Sequence, residues 1–250
     1  MLELPNVSIL QMETQVHRLA KLALDDSLRG IKFGQILVAT DQFKEMRVPN
    51  AEHVMVYNWA NKLGYCQALW YTIPKLVKTS HLLITQWDSW VLRPDLWNPE
   101  FTNYDYIGAP WDMGPKGLVV GNSGFSLRSK RLMDFMIEHK QEFPLQLSGE
   151  DAQLSLVYRA KLEDAGFTWA PIELAKSFSM EGNACRHESP MDSFGFHGIF
   201  HWPEVLDKER LIERARLAKS SKYIRSSKFT NGYSMFDSLV ANAPWLRWEI

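Results

Sequence analysis

Four short segments carry residue types that could do chemistry. They follow one another through the chain: Gln86-Trp-Asp-Ser89, Gly121-Asn-Ser-Gly124, Gly149-Glu-Asp151 and Phe194-Gly-Phe-His-Gly198. In the first, Asp88 directly follows the apolar run His81-Leu-Leu-Ile-Thr-Gln. Ligands of open α/β sheets bind beyond the carboxyl ends of strands, so a carboxylate there is placed for a ligand. A hard divalent cation that bridges phosphates needs only one or two protein carboxylates. Read as structure, the same aspartate caps a turn. In the second segment, glycines permit a bulge or the close approach of a ligand to the backbone, or simply a tight turn. In the third, Glu150 and Asp151 open a helix with Ser148 as a candidate N-cap, close to a capping box, and acids suit a helix N-terminus. Facing a cleft, one such carboxylate takes the proton of an attacking hydroxyl. In the fourth, His197 sits between glycines and His201 follows four residues later. On a helix that spacing suits a metal pair, but the Gly-Phe-His-Gly context reads as a loop.

Several chemistries are excluded. The spacings of a phosphate-binding loop, a dinucleotide fingerprint and a His-Glu-x-x-His zinc site are absent. Gly121-Asn-Ser-Gly-Phe fails the Gly-x-Ser-x-Gly nucleophile elbow by one position. Cys66 and Cys185 are isolated, which argues against a thiolate zinc site, and neither has an activating motif.

The elements that must position these groups read as an α/β alternation. Val7 to Met12 is a buried strand. Val16, Leu19, Ala20, Ala23 and Leu24 recur at helical spacing over 14–29, and Phe33 to Thr40 is a second strand. Residues 59–78 read as a helix that Pro74 breaks or kinks near its end. Tyr104 to Trp111 and Leu118 to Leu127 are β-like, 129–140 helical. The segment from Gly149 is a helix with Leu154, Val157, Tyr158 and Leu162 on one face, and Phe167 to Ile172 a strand. Residues 203–219 form an amphipathic helix bearing Lys208, Arg210, Arg214, Arg216 and Lys219. Residues 220–228 are basic and serine-rich. Phe229, Tyr233, Phe236, Trp245 and Trp248 suggest a docked tail.

The 250 residues suffice for one large domain with a real core. Twenty-eight basic against 29 acidic residues give a net charge of −1, which excludes a strong field for polyanions and so a nucleic-acid partner. Aromatics reach 12%, with ten tryptophans, a composition that suits a ligand groove as well as a core. No apolar run approaches the ~18 residues of a spanning helix. The N-terminus lacks the basic and apolar regions of a signal peptide. A soluble cytoplasmic protein is expected.

Taken together, the order of the clusters resembles the metal-dependent nucleotide-sugar glycosyltransferases of the GT-A fold. More narrowly, the chain is similar to a bacterial family catalogued as a domain of unknown function and associated with surface-polysaccharide genes. The matching segments are Gln86-Trp-Asp-Ser-Trp-Val-Leu, Tyr104-Asp-Tyr-Ile-Gly-Ala-Pro-Trp, Val120-Gly-Asn-Ser-Gly-Phe-Ser-Leu-Arg-Ser, Glu150-Asp151, Phe167 to Glu173 with Phe178-Ser-Met-Glu, and Phe194-Gly-Phe-His-Gly. The resemblance implies a GT-A-like (Rossmann-like) α/β fold. Its central sheet would be mixed, mainly parallel and flanked by helices over 1–202, with a helical, aromatic extension, 203–250, packed on it. The implied activity is inverting transfer of a sugar from a nucleotide-diphosphate donor to a hydroxyl of a glycan or lipid-linked glycan. Asp151 would be the base, with Glu150 binding the acceptor or holding that base. Asp88, Gln86 and Ser89 would bind the donor, and Trp111, Asn122, Ser123 and Gly124 would line the sugar cleft. Asp88 and His197 would hold a divalent cation, Mn2+ or Mg2+. Trp87 takes one of the two acidic places of the strand-end motif, which also favours a non-catalytic carbohydrate- or nucleotide-binding protein on the same fold. The basic stretch 203–228 could rest on anionic membrane, or be a solvated helix face covering the core.

Overall fold

The computed structural model describes residues 1–57, 62–114, 117–146, 149–182, 189–227 and 234–250. The chain opens with strand β1 (Leu2–Glu13), helix α1 (His17–Ser27) and strands β2 (Ile31–Thr40) and β3 (Glu52–Met55). Helix α2 (Lys62–Gln67) leads to β4 (His81–Thr85) and β5 (Ser89–Val91). Four strands follow: β6 (Tyr106–Gly108), β7 (Pro110–Gly114), β8 (Gly117–Val120) and β9 (Phe125–Ser129). Helices α3 (Lys130–Glu138), α4 (Glu150–Ala152), α5 (Arg159–Asp164) and α6 (Ile172–Phe178) precede β10 (Ser179–Glu181) and β11 (Gly195–His197). The chain ends in α7 (Trp202–Val205), α8 (Lys208–Ser220), α9 (Lys222–Ser226), α10 (Met235–Asn242) and α11 (Leu246–Glu249).

A six-stranded mixed sheet of order β3-β2-β1-β4-β9-β6 forms the centre. Its β3-β2-β1-β4 half is parallel, while β9 runs antiparallel to β4 and β6. The interior position of β1 and β4 follows from their sequence. Val7 to Met12 and His81 to Thr85 are buried on both faces, as a strand covered on both sides requires. A second sheet, β10-β11-β5, carries His197 beside Ser89, and β7 pairs with β8.

Residues 203–250 share the main core. Leu211, Ala215, Ile224, Leu239 and Leu246 belong to the same buried cluster as Ile9, Leu83 and Leu127. Their basic residues face partners in the protein. Arg210 and Arg214 both bind the buried Asp26 of α1, and the Arg214 guanidinium lies 4.3 Å over the Trp90 ring. Lys208 pairs with Glu249 at 3.0 Å. Arg216 and Lys219 donate to the Glu249 and Ile250 carbonyl oxygens. Arg210 and Arg214 thus turn into the protein, whereas Lys208, Arg216 and Lys219 stay exposed at the surface while pairing with the chain's last residues. The expected single helix over 203–219 is split, because Asp207 caps α8 by accepting from the Arg210 N–H. The tail docks through Leu239, Leu246 and the partly buried Phe236, and Lys208 lies over the Trp245 ring, while Trp248 is 90% exposed. Phe229, Tyr233 and Lys228 lie outside the described residues, as do Cys185 and the candidate N-cap Ser148. No described helix is long and apolar enough to cross a membrane.

Three other elements differ from expectation. The helix sought over 59–78 becomes α2, a wide π turn over Ala68–Thr72 and a 3-10 turn over Ile73–Leu76, where Pro74 has no N–H for an α-helical bond. The helix sought from Gly149 breaks into α4, a π turn over Gln153–Val157 and α5. The wide turn rotates the apolar face, so Leu154, Tyr158 and Leu162 stay buried while Val157 is half exposed. The segment 167–172 is no strand: Trp169 makes a single bridge to Tyr106, and Pro171, which cannot donate to a ladder, precedes α6.

Candidate functional site

Strand order reverses at β1: β2 and β3 follow on one side of it and β4 on the other. Such a switch point leaves a crevice at the strands' carboxyl ends. A cavity of about 590 Å³ lies there. Glu13 ends β1 and forms part of its wall; Gln86, Trp87 and Asp88 come from the turn after β4; Ser123 and Gly124 come from the loop before β9, and Glu150 and Asp151 from α4. Glu181 and His197 close the floor from the second sheet, and Tyr223, Ser227 and Met235 supply a wall from the C-terminal segment. The lining is rich in carboxylates, which only accept hydrogen bonds when ionised. It also holds aromatic rings from Trp87, Phe200 and Tyr223. Such a lining complements a ligand rich in hydroxyl donors and flat apolar faces.

His197 is the centre of the site. Its Nδ1 lies 2.6 Å from Glu181 Oε1, and its Nε2 lies 3.4 Å from Asp88 Oδ1. Glu181 is itself fixed by Trp111, whose Nε1–H donates to Oε2 at 2.5 Å. The Gly198 N–H donates to the Asp88 carbonyl oxygen at 3.1 Å, which ties the two loops together. Burial works against charge on His197, but Asp88 and Glu181 raise its pKa well above the ordinary histidine value. Burial raises Glu181, yet His197 and the donors Trp111 and Asn122 bring it below the ordinary carboxylate value.

The residues present fit an open cation site. Asp88 Oδ1 is buried without an aligned hydrogen-bond partner among the described residues. The atom facing it is an imidazole nitrogen whose ring is held from behind by a carboxylate, the usual second support of a metal-binding histidine. A proton and a cation compete for that nitrogen. Among the described residues no group of three or more His, Cys, Asp or Glu is placed to hold a metal ion, so Asp88 and His197 are the protein groups that this site could offer one.

The remaining expected residues divide. Gln86 lines the cavity and donates to the Tyr65 hydroxyl at 2.8 Å. Asp151 lines it, half buried. Ser123 reaches the wall, but its hydroxyl donates to Glu150. Glu150 is 1% exposed, and Arg128 binds both of its oxygens, at 2.6 and 2.9 Å. Glu150 borders the cavity, but its oxygens are already engaged, which suits the expected role of holding the neighbouring Asp151. Ser89 is fully buried and bridges the Gln86 N–H and the Gly124 carbonyl, so it closes the turn instead of touching a donor. Asn122, expected in the sugar cleft, is also fully buried. It takes φ +73°, a left-handed conformation that asparagine tolerates better than most, and its Oδ1 accepts from the Phe125 N–H. Trp111 stands behind Glu181 and does not line the cavity.

Gly124 explains the glycine break. A Cβ there would sit 2.2 Å from His197 Cδ2 and Nε2. Glu181 holds the other edge of that ring, so it has little room to retreat. Gly124→Ala is expected to cost about 1–3 kcal/mol of stability through overpacking, read from urea denaturation. A wild-type midpoint would mean that the ring moves aside freely.

Sequence reasoning passed over four contributors. Glu13 follows an apolar strand as Asp88 does, so the strand-end rule applied to it equally. Glu181 and Arg128 lay inside the matched segments without a role. Tyr223 had no signal beyond its place in a basic stretch.

Fold and site together define an α/β protein with a carboxylate-lined ligand cleft at the switch point of its sheet. The chain belongs to the family of proteins of unknown function DUF5672, whose profile matches residues 42–197. No curated protein matches the chain in sequence. Among solved structures, it is similar to a glycosyltransferase involved in the glycosylation of the major capsid of PBCV-1 (11% identity, 76% of this chain and 91% of that one, TM-score 0.47). It is also similar to an active-site mutant of LgtC (12%, 86% and 96%, TM-score 0.47). A third likeness is to the bifunctional IspDF of Campylobacter jejuni (9%, 68% and 49%, TM-score 0.40).

Proposed function

We propose that the protein is a glycosyltransferase that moves a sugar from a nucleotide-diphosphate donor to a hydroxyl of a glycan or lipid-linked glycan, in surface-polysaccharide synthesis. One observation carries this reading. Asp88 Oδ1, buried without an aligned hydrogen bond among the described residues, faces His197 Nε2 at 3.4 Å on the wall of a large cleft at the sheet's switch point. That pair would hold Mn2+ or Mg2+. When bound, the cation supplies positive charge that neutralises the departing nucleoside diphosphate.

The chain's own residues do the rest. Asp151 takes the proton of the acceptor hydroxyl, whose oxygen bonds to the anomeric carbon as the bond from that carbon to the diphosphate oxygen breaks. One displacement on one face inverts the anomeric configuration. Glu150, clamped by Arg128, fixes the turn that presents Asp151. Glu181 holds His197 in the tautomer and orientation that face Asp88.

The second reading is a non-catalytic nucleotide-sugar or carbohydrate-binding protein. Trp87 favours it, a buried indole on the cavity wall beside Asp88. The two diverge in one measurement. Calorimetric titration of UDP and GDP with Mn2+ is expected to show metal-enhanced binding, weakened about tenfold to a hundredfold in Asp88→Asn. Donor turnover on a glycan then separates enzyme from binder. Absence of nucleotide binding with and without metal rejects both.

A further inference from the structure

We propose that Tyr223, on α9, is a donor-binding residue that contacts the nucleoside diphosphate, so that the C-terminal segment completes the cleft. The inference rests on the reading of the cleft as a nucleotide-sugar site. The family match ends at residue 197, yet Tyr223, Ser227 and Met235 wall the same cavity as Asp88 and His197.

The wall is firmly built. Ile224, next to Tyr223, is fully buried, and the Ser221 hydroxyl accepts from the Ile224 N–H at 3.3 Å. The Ser227 N–H donates to the Tyr223 carbonyl at 2.9 Å, and the Met235 N–H donates to the Ser227 carbonyl at 3.0 Å. Helix α10 packs on the turn Ile199–His201, directly after His197. The segment is therefore coupled to the floor of the site.

The charge of the lining limits the donors that a diphosphate could use. The described lining residues include no lysine or arginine. Besides His197 and any cation held there, a diphosphate here would take its hydrogen bonds from neutral donors. Tyr223 supplies one. Burial, and then the carboxylates Glu13 and Asp88, push its pKa up to about 12, so its phenol keeps its proton and remains a donor at neutral pH. Those carboxylates stand at the end of β1 and in the turn after β4, on the side of the cleft where Asp88 would meet the phosphates. The residue keeps 40% of its surface exposed, which leaves area for a ligand.

The test is calorimetric titration of UDP and GDP, with saturating Mn2+, into wild type, Tyr223→Phe and Tyr223→Ala, with Mn2+ alone titrated as a control. Loss of one hydrogen bond to a charged ligand should raise Kd about tenfold in Tyr223→Phe, and further in Tyr223→Ala, with Mn2+ affinity unchanged. Tyr223→Phe keeps the ring and its packing, so it decides the matter if Tyr223→Ala melts early. Wild-type nucleotide affinity in Tyr223→Phe, alongside weakened binding in Asp88→Asn, overturns the role of Tyr223 and leaves the nucleotide reading standing. Failure of the wild type to bind either nucleotide overturns both.

Discussion

Asp151→Asn is expected to lower sugar transfer by about 10²–10⁴-fold, the usual contribution of a positioned general base, while nucleoside diphosphate binding stays near wild type. The substitution is nearly isosteric and removes only the ability to take a proton. Both carboxylates of the pair border the cleft, and Asp151 is the one proposed to take the proton. It lines the cleft, half buried, whereas its neighbour Glu150 has both oxygens bound by Arg128 and is closed to solvent. Glu150→Gln should instead reduce stability, with transfer falling only as far as the turn is displaced. The two variants therefore separate proton transfer from positioning. Single-turnover transfer at saturating donor measures the first effect. A kcat for Asp151→Asn within a few-fold of wild type would remove Asp151 as the base.

Much of the sheet was legible because burial on both faces leaves short, mainly apolar runs, as in Val7 to Met12 and His81 to Thr85, with Ser8, Gln11 and Thr85 among the buried polar exceptions. The π turns were not. An i to i+5 bond such as Tyr158 N–H to the Gln153 carbonyl changes the helical phase without a residue type that announces it, which is why Val157 falls outside the buried face. In the site, Asp88 was found by its place after a strand, and Glu13 answers to the same rule. Ser89 and Asn122 were misread for one physical reason. A polar side chain in a motif looks like a ligand contact, but buried backbone groups need partners too, and here the Gly124 carbonyl and the Phe125 N–H take them.

Partners distant in sequence were the least legible. The basic positions of α8 suggested an outward charged face, but Asp26 on α1 receives both Arg210 and Arg214. Nothing local in either segment encodes that meeting. The pairing matters for the cleft, because Arg214 rests on Trp90 and Trp90 packs edge-on to Phe196 at 4.5 Å. Phe196 and His197 are consecutive in β11. The C-terminal helices thus brace the histidine from one side while α9 walls the cavity from another.

Arg128→Met is expected to destabilise the fold by about 3–5 kcal/mol, the cost of leaving one member of a buried ion pair without its counter-charge. Both side chains of the pair are almost wholly buried. Arg128 holds Glu150 through two hydrogen bonds and lies 5.1 Å over the Tyr106 ring. Once the guanidinium is gone, the Ser123 hydroxyl is the one donor that the described contacts leave to Glu150, and one neutral hydroxyl does not balance a buried carboxylate. The double variant Arg128→Met with Glu150→Gln should recover part of the loss, because replacing both charges removes the unpaired one. Urea denaturation of the four proteins completes the cycle. A loss below about 1 kcal/mol in Arg128→Met would mean that water reaches the pair, in the range of exposed bridges. The same cycle bears on catalysis. Glu150 and Asp151 are adjacent in one short helix, so slackening the clamp displaces the base, and misplacement by about 1 Å is enough to cost about a hundredfold in rate. Transfer by the double variant should therefore stay depressed even where its stability recovers, because glutamine and methionine restore neutrality without restoring the bidentate grip.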